Sequence, residues 1–209
     1  MGGLPFTAEQ FYQVFARYND VLWPAVVLWW LSTLALVLAV WRSPGISRWL
    51  MGLLALCWLW NGVVYHAWLF TAINPAAGGF AGLFLVQAGL LVSACRGPVQ
   101  PFFAAHGWRR SVGVGLTGYA FLYPLLNISA GHRFPAVPTF GVPCPTVILT
   151  IGLFLTMSVV PAWLMAIPVL WAFVGGSAAY LLGVPADYPL LGAGVVLAWV
   201  AIRQSHWRA

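Results

Sequence analysis

GHRFPAVPTFGVPCPT, residues 131–146, sets a histidine, an arginine, a cysteine and four prolines between two strongly apolar runs. Pro135, Pro138, Pro143 and Pro145 remove backbone donors and forbid a continuous helix, so the segment runs extended and leaves carbonyl groups that need partners. At membrane depth such backbone survives only where protein buries it or where it lines a wet cavity. Loops longer than about 12–15 residues are uncommon unless functional or disordered. Phe134, Val137, Phe140 and Val142 argue against disorder. The reading is a lid or re-entrant segment folded into the mouth of a helical bundle.

The rest of the chain supplies that bundle. With 209 residues, 62% hydrophobic and 6% charged, and a mean hydropathy of +0.91, the composition cannot describe a water-soluble surface. The chain reads as all-α, a single integral membrane domain over residues 1–209, with an amphipathic segment at 1–20 and an irregular outer loop at 129–145. About seven spans are expected, at 21–41, 49–72, 79–95, 111–128, 145–160, 161–183 and 188–203. Each is near the roughly 17–25 apolar residues a bilayer core requires. Asn74-Pro75, Pro145, Pro161 and Pro189 stop or start them. The fifth and seventh look short. A cleaved signal peptide is not expected, since the first 20 residues lack a basic start and an apolar core.

Thr7-Ala8-Glu9-Gln10 has the capping-box pattern, followed by Phe11, Val14, Phe15 and Tyr18 at helical spacing. That predicts an amphipathic helix, either lying on the membrane surface or packed over the bundle mouth. The net charge of +6 comes from nine arginines and no lysine. Without lysine no Schiff base and no phosphate-loop lysine is available. In seven spans with the N-terminus outside, Arg42, Arg48, Arg96, Arg109, Arg110, Arg203 and Arg208 lie inside, against Arg17 and Arg133 outside. This positive-inside pattern puts the C-terminus inside and places Glu9, Asp20 and Asp187 on the outer side. Such a charge excess sets topology and calls for no nucleic acid. Trp23, Trp41, Trp49 and Trp108 fall near the interfaces, as an aromatic belt would. Gly175, Ala179 and Gly183 form a small-residue stripe, read as helix packing.

Chemistry-bearing residues concentrate toward the outer side. Cys144, between two prolines at the start of the fifth span, faces unpaired amides and a helix dipole that favour a thiolate. It is read either as a nucleophile or soft-metal ligand, or as filler in a rigid turn. His66 follows Tyr65 in NGVVYHAWLFTAINPAA and is costly in a membrane unless partnered. It is a functional candidate, with a structural histidine bonded to a neighbouring helix as the rival reading. His132 follows the stripe Tyr119, Tyr123, Asn127, which either lines a polar path or satisfies itself. His66, His132 and Cys144 are the types a transition metal would choose, with Asp187 or Glu9 as oxygen ligands. Asn61, Tyr65, Asn74, Tyr123 and Asp187 are the accompanying ligand-binding candidates. No C-x-x-C, H-E-x-x-H or G-x-S-x-G is present, so no metal or hydrolase motif supports these residues. His106 and His206 fall on the inner side and are read as solvated or lipid-facing.

NG-x-x-YH, INPAA, the Tyr123-Pro124 pair and the 131–146 loop together resemble a bacterial family of multi-span membrane proteins known only as a domain of unknown function. The resemblance spans nearly the whole chain and implies the bundle and the same loop, but no activity. The expectation from the residues is a bacterial inner-membrane protein, multi-pass in the lipid bilayer, that binds a small molecule or ion, including a transition metal, at its outer mouth in order to transport it. The alternatives are a membrane-embedded metal- or thiol-dependent enzyme and a non-catalytic subunit of a larger membrane complex. Homo-oligomerisation is open.

Overall fold

The computed structural model describes residues 5–206, with side chains through residue 204. Arg208, the first residues of the 1–20 segment and the side chain of His206 lie outside what is described. Eight α-helices account for most of the chain: α1 (Ala8–Leu22), α2 (Ala25–Arg42), α3 (Ser47–Trp60), α4 (Ala77–Ala94), α5 (Gly107–Ser129), α6 (Pro143–Thr156), α7 (Ala162–Leu182) and α8 (Tyr188–His206). α3 continues without a break into a π-helix, Asn61–Leu69, and a short 3-10 turn, Phe70–Ala72.

Six segments are long and apolar enough to cross a membrane: Ala25–Arg42, Pro44–Ala72, Ala77–Ala94, Gly107–Ser129, Ala162–Leu182 and Pro185–Gln204. α6, expected as a span over 145–160, differs. It has 14 residues, a length of about 21 Å at 1.5 Å per residue. All of them are buried except Cys144, which is partly exposed. α6 runs through the centre of the bundle, and a helix coated by protein need not match the thickness of the lipid.

α6 returns antiparallel along α5, because Gly113 meets Gly152 and Thr156 at one end while Tyr123 and Cys144 meet Asp187 at the other. Two glycines make this approach possible. A Cβ on Gly113 would stand 2.7 Å from the carbonyl oxygen of Gly152, and one on Gly152 would stand 2.8 Å from the amide of Thr117. Small residues that admit backbone contact are the main packing device between helices in lipid, where apolar burial gives little drive. α7 and α8 use the same device at Gly176, against Leu191, and at Gly194, against Ala172. Of the stripe read as packing, Gly175 does face α8, a Cβ there standing 3.3 Å from the Leu190 side chain. It also lines a cavity with Ala179, while Gly183 is the left-handed C-cap of α7.

The connections gather at two ends. At one, Phe102 N–H donates to Ser47 Oγ at 3.1 Å, Phe103 N–H to Thr156 Oγ1 at 3.2 Å, and Arg109 to the Met157 carbonyl at 2.7 Å. Arg42, Arg48, Arg96, Arg110 and Arg203 belong to this end as well. The other end carries α1, the 73–76 turn, the 130–142 loop and the Pro185–Asp187 turn. It holds Arg17 and Arg133 and all three acids.

α1 begins with the capping box expected, Gln10 N–H donating to Thr7 Oγ1 at 3.2 Å and Thr7 N–H to Gln10 Oε1 at 2.8 Å. Its apolar face rests on protein: Phe15 stacks on Tyr65 at 5.8 Å and Phe6 meets Phe70 edge-on at 5.3 Å. Of the two readings for this helix, packing over the bundle mouth is the one the contacts describe.

Candidate functional site

The site begins where α3 changes its winding. The NGVVYHAWL segment, Asn61–Leu69, forms a nine-residue π-helix, a form that is rare and concentrates at functional sites. Gly62 lets α4 close in, since a Cβ there would stand 3.2 Å from the carbonyl oxygen of Ala81. Two consecutive side chains, Tyr65 and His66, both turn inward, at 3% and 0% exposure. The His66 ring sits among aromatic rings, with centroids at 4.7 Å from Phe84, 5.0 Å from Trp171 and 5.8 Å from Phe80. Among the described residues neither of its ring nitrogens has a hydrogen-bond partner. Buried polar atoms are paired in the great majority of cases, so an unpaired one calls for an explanation.

His66 faces a cavity of about 240 Å³ lined from α1, the π-helix, α4, α5, the start of α6, α7 and the turn before α8. Phe6, Phe11, Phe15, Phe70 and Phe80 give it aromatic walls, and its polar side chains include Tyr65, Asn74, Tyr123, Cys144 and Asp187. Asp187 sits in the turn before α8 and is 3% exposed. Sequence reading places it in an outer loop, whereas the fold draws it inward: Tyr119 O–H donates to the Ala186 carbonyl at 2.8 Å and Tyr123 O–H donates to the Asp187 carboxylate at 2.5 Å. Cys144 lines the cavity beside the same carboxylate.

That arrangement revises the role of Cys144. α6 starts at Pro143 with Val142 as N-cap, so Cys144 is inside the first turn. A thiolate there would face a second negative charge, that of Asp187. The Trp171 indole N–H lies on the same side and has no partner of good geometry.

Of the ligand-binding candidates, Tyr65, Asn74, Tyr123 and Asp187 all line the cavity. Asn61 lies deeper, donating to the Cys57 carbonyl at 2.8 Å and to Thr146 Oγ1 at 3.0 Å, with its Oδ1 unpartnered. Of the metal candidates, His66 and Cys144 share the cavity but His132 does not. His132 stacks on Tyr12 at 4.4 Å, with the tyrosine hydroxyl 3.1 Å from Nε2. Among the described residues no group of three or more His, Cys, Asp or Glu side chains is placed to hold a metal ion. The expected His66–His132–Cys144 set is therefore not assembled, because the loop that carries His132 docks it against α1.

The 130–142 loop is held over this end from both sides. Asn19, fully buried, donates to the carbonyls of Pro135 and Val137 and accepts from Thr139 Oγ1 at 2.6 Å. Phe140 stacks on Phe121 at 5.7 Å. Gly141, at φ +86°, lies beneath Tyr18, whose hydroxyl occupies the place of a side chain there. Burial lifts the Tyr18 phenol well above its ordinary range, against the opposing effect of the hydrogen bond from Trp60. Burial also raises Tyr12, and the charge of Asp187 raises it further. Sequence reading passes over Asn19, Phe80 and Trp171. The only signal for Asn19 is its place four residues after Phe15, on the buried face of α1.

Fold and site together define a helical bundle compatible with a multi-pass membrane protein, with a polar-ended aromatic cavity at one end. The chain belongs to the family of unknown function DUF6064, whose model matches residues 8–209. No curated protein and no solved structure matches it.

Proposed function

We propose that this protein is a bacterial inner-membrane carrier that binds a small organic molecule in the aromatic cavity at its outer mouth and passes it across the bilayer. The observation that carries the reading is His66, fully buried at the cavity with both ring nitrogens unpartnered, close to the Tyr123–Asp187–Cys144 group. An intramembrane polar cluster of this kind is a functional feature by default, and concave, mostly apolar sites with a few convergent polar groups are where small ligands bind. The arginine distribution supports placing the cavity end outside. His66, Cys144 and Asp187 line the cavity but, among the described residues, are not grouped as a metal ion would need, which favours an organic ligand.

The test is uptake into proteoliposomes of a labelled compound that binds the purified protein. Accumulation of unchanged label, lost in His66→Ala protein of normal thermal stability, is the expected result. Chemical conversion of the label without accumulation would favour the second reading, a membrane-embedded enzyme, which Cys144 beside the hydrogen-bonded Tyr123–Asp187 pair supports.

A further inference from the structure

The cavity's charge balance narrows the ligand beyond a small organic molecule. Among the described residues Asp187 is the one acidic residue lining the cavity, and no arginine lines it. Among the described residues its carboxylate forms no ion pair and is held by a neutral donor, Tyr123 O–H. A buried charge is costly unless it is paired. An anionic ligand would double the uncompensated charge, and a neutral one would leave it in place. A cation would balance it.

The remaining walls fit the same occupant. The faces of Phe, Tyr and Trp attract cations through their ring quadrupoles, and aromatic cages are a recurring way of holding ammonium groups. Tyr65, Phe80 and Trp171 line the cavity, with Trp171 and Phe80 edge-on at 5.3 Å. A neutral imidazole has one lone-pair nitrogen that accepts from a donor, and His66 has no protein donor to accept from. The rim includes Val174, Ser177 and Leu181 on the exposed, apolar side of α7, Leu181 being 68% exposed. A ligand with an apolar body can reach the site along that flank.

We infer that the cavity takes a hydrophobic organic cation, an ammonium group on an apolar or aromatic body, with the charge directed to Asp187 and the body among the rings. This rests on the reading of the cavity as a ligand site and specifies its chemistry.

The test uses full-length protein in lipid nanodiscs, with protein-free nanodiscs subtracted, and three probes of similar size: 2-phenylethylamine, 2-phenylethanol and phenylacetate. Equilibrium dialysis should show the amine binding at least ~10-fold more tightly than the alcohol, and phenylacetate not binding, as expected where a cation compensates a buried charge. Asp187→Asn should weaken the amine by ~10-fold or more and the alcohol by under ~2-fold. Should that variant fail to fold, wild-type protein decides: the amine should slow alkylation of Cys144 at concentrations where the alcohol does not. Equal binding or equal protection by amine and alcohol would overturn the cation assignment while leaving the cavity as a ligand site. Absence of binding and protection by all three probes would overturn both.

Discussion

The side-chain amide of Asn19 lies 2.6 Å from the carbonyl oxygen of Pro135, 116 positions further along the chain. The same nitrogen donates to Val137 at 2.8 Å, and the amide oxygen accepts from Thr139. One buried asparagine thus supplies the partners that a proline-rich segment cannot provide for itself. Asn19→Ala should destabilise the protein by about 2–4 kcal/mol, from roughly 1 kcal/mol per hydrogen bond plus the cost of stranded buried carbonyls. Thermal unfolding in detergent measures this. Protease cleavage after Arg133 should quicken in parallel. Unchanged melting and unchanged cleavage would mean that the loop is held by its apolar contacts alone.

Removing the Tyr123 hydroxyl leaves the Asp187 carboxylate one donor short. Tyr123→Phe should cost about 1–3 kcal/mol. In a double-mutant cycle with Asp187→Asn the two losses should fall short of additivity, because both act on one bond. Additive losses would place the two residues in separate environments.

The glycines of α5 divide by what surrounds them. Gly113→Ala drives a Cβ into the α6 backbone, as does Gly152→Ala in reverse, whereas Gly118 faces open space. The first two should each destabilise by about 1–3 kcal/mol or more, the usual range for overpacking. Gly118→Ala should be neutral or slightly stabilising, since alanine is the better helix former. Equal melting temperatures across the three variants would be incompatible with the α5–α6 contact described.

The three cysteines should react in a fixed order. Cys95 follows the end of α4 and is half-buried. Burial raises its thiol above the ordinary value, and the nearby Arg48 opposes that rise. It should nevertheless be the first modified by a membrane-impermeant maleimide. Cys144, exposed only toward the cavity, should need a small permeant reagent. Cys57 is 1% exposed and should react only on unfolding. Rapid labelling of Cys57 in folded protein would contradict the packing of α3.

The arginine asymmetry predicts that a C-terminal fusion to an enzyme active only outside the cytoplasm is silent. Activity in that fusion would invert the bundle and place the cavity at the inner face.

The helices were legible because apolar runs and prolines mark them directly, and α4 and α7 fall within two residues of the expected bounds. The standing of α6 was not, because a helix buried in protein and a helix in lipid have the same composition. Nothing local in NGVVYHAWL signals i→i+5 winding, so the inward turn of both Tyr65 and His66 was hidden as well. His66, Tyr123, Cys144 and Asp187 stood out as polar groups in apolar surroundings. Phe80 and Trp171 did not, since an aromatic ring in such a chain looks like ordinary packing. The place of His132 against Tyr12 was not legible, because residue type says little about position when a loop turns back onto α1.

The cavity draws on α1, the π-helix, the start of α6, α7 and the turn at Asp187, so its parts emerge from the ribosome in widely separated instalments. Asn19 and the phenylalanines of α1 are made long before the carbonyls and the carboxylate they cover. During synthesis the apolar face of α1 can meet Tyr65 and Phe70 early, whereas Asn19 must wait for the 130–142 loop. Ribosome-stalled chains that end before residue 187 would carry His66 and Cys144 without the acid that completes their surroundings. The site is therefore complete in the nascent chain only as α8 begins.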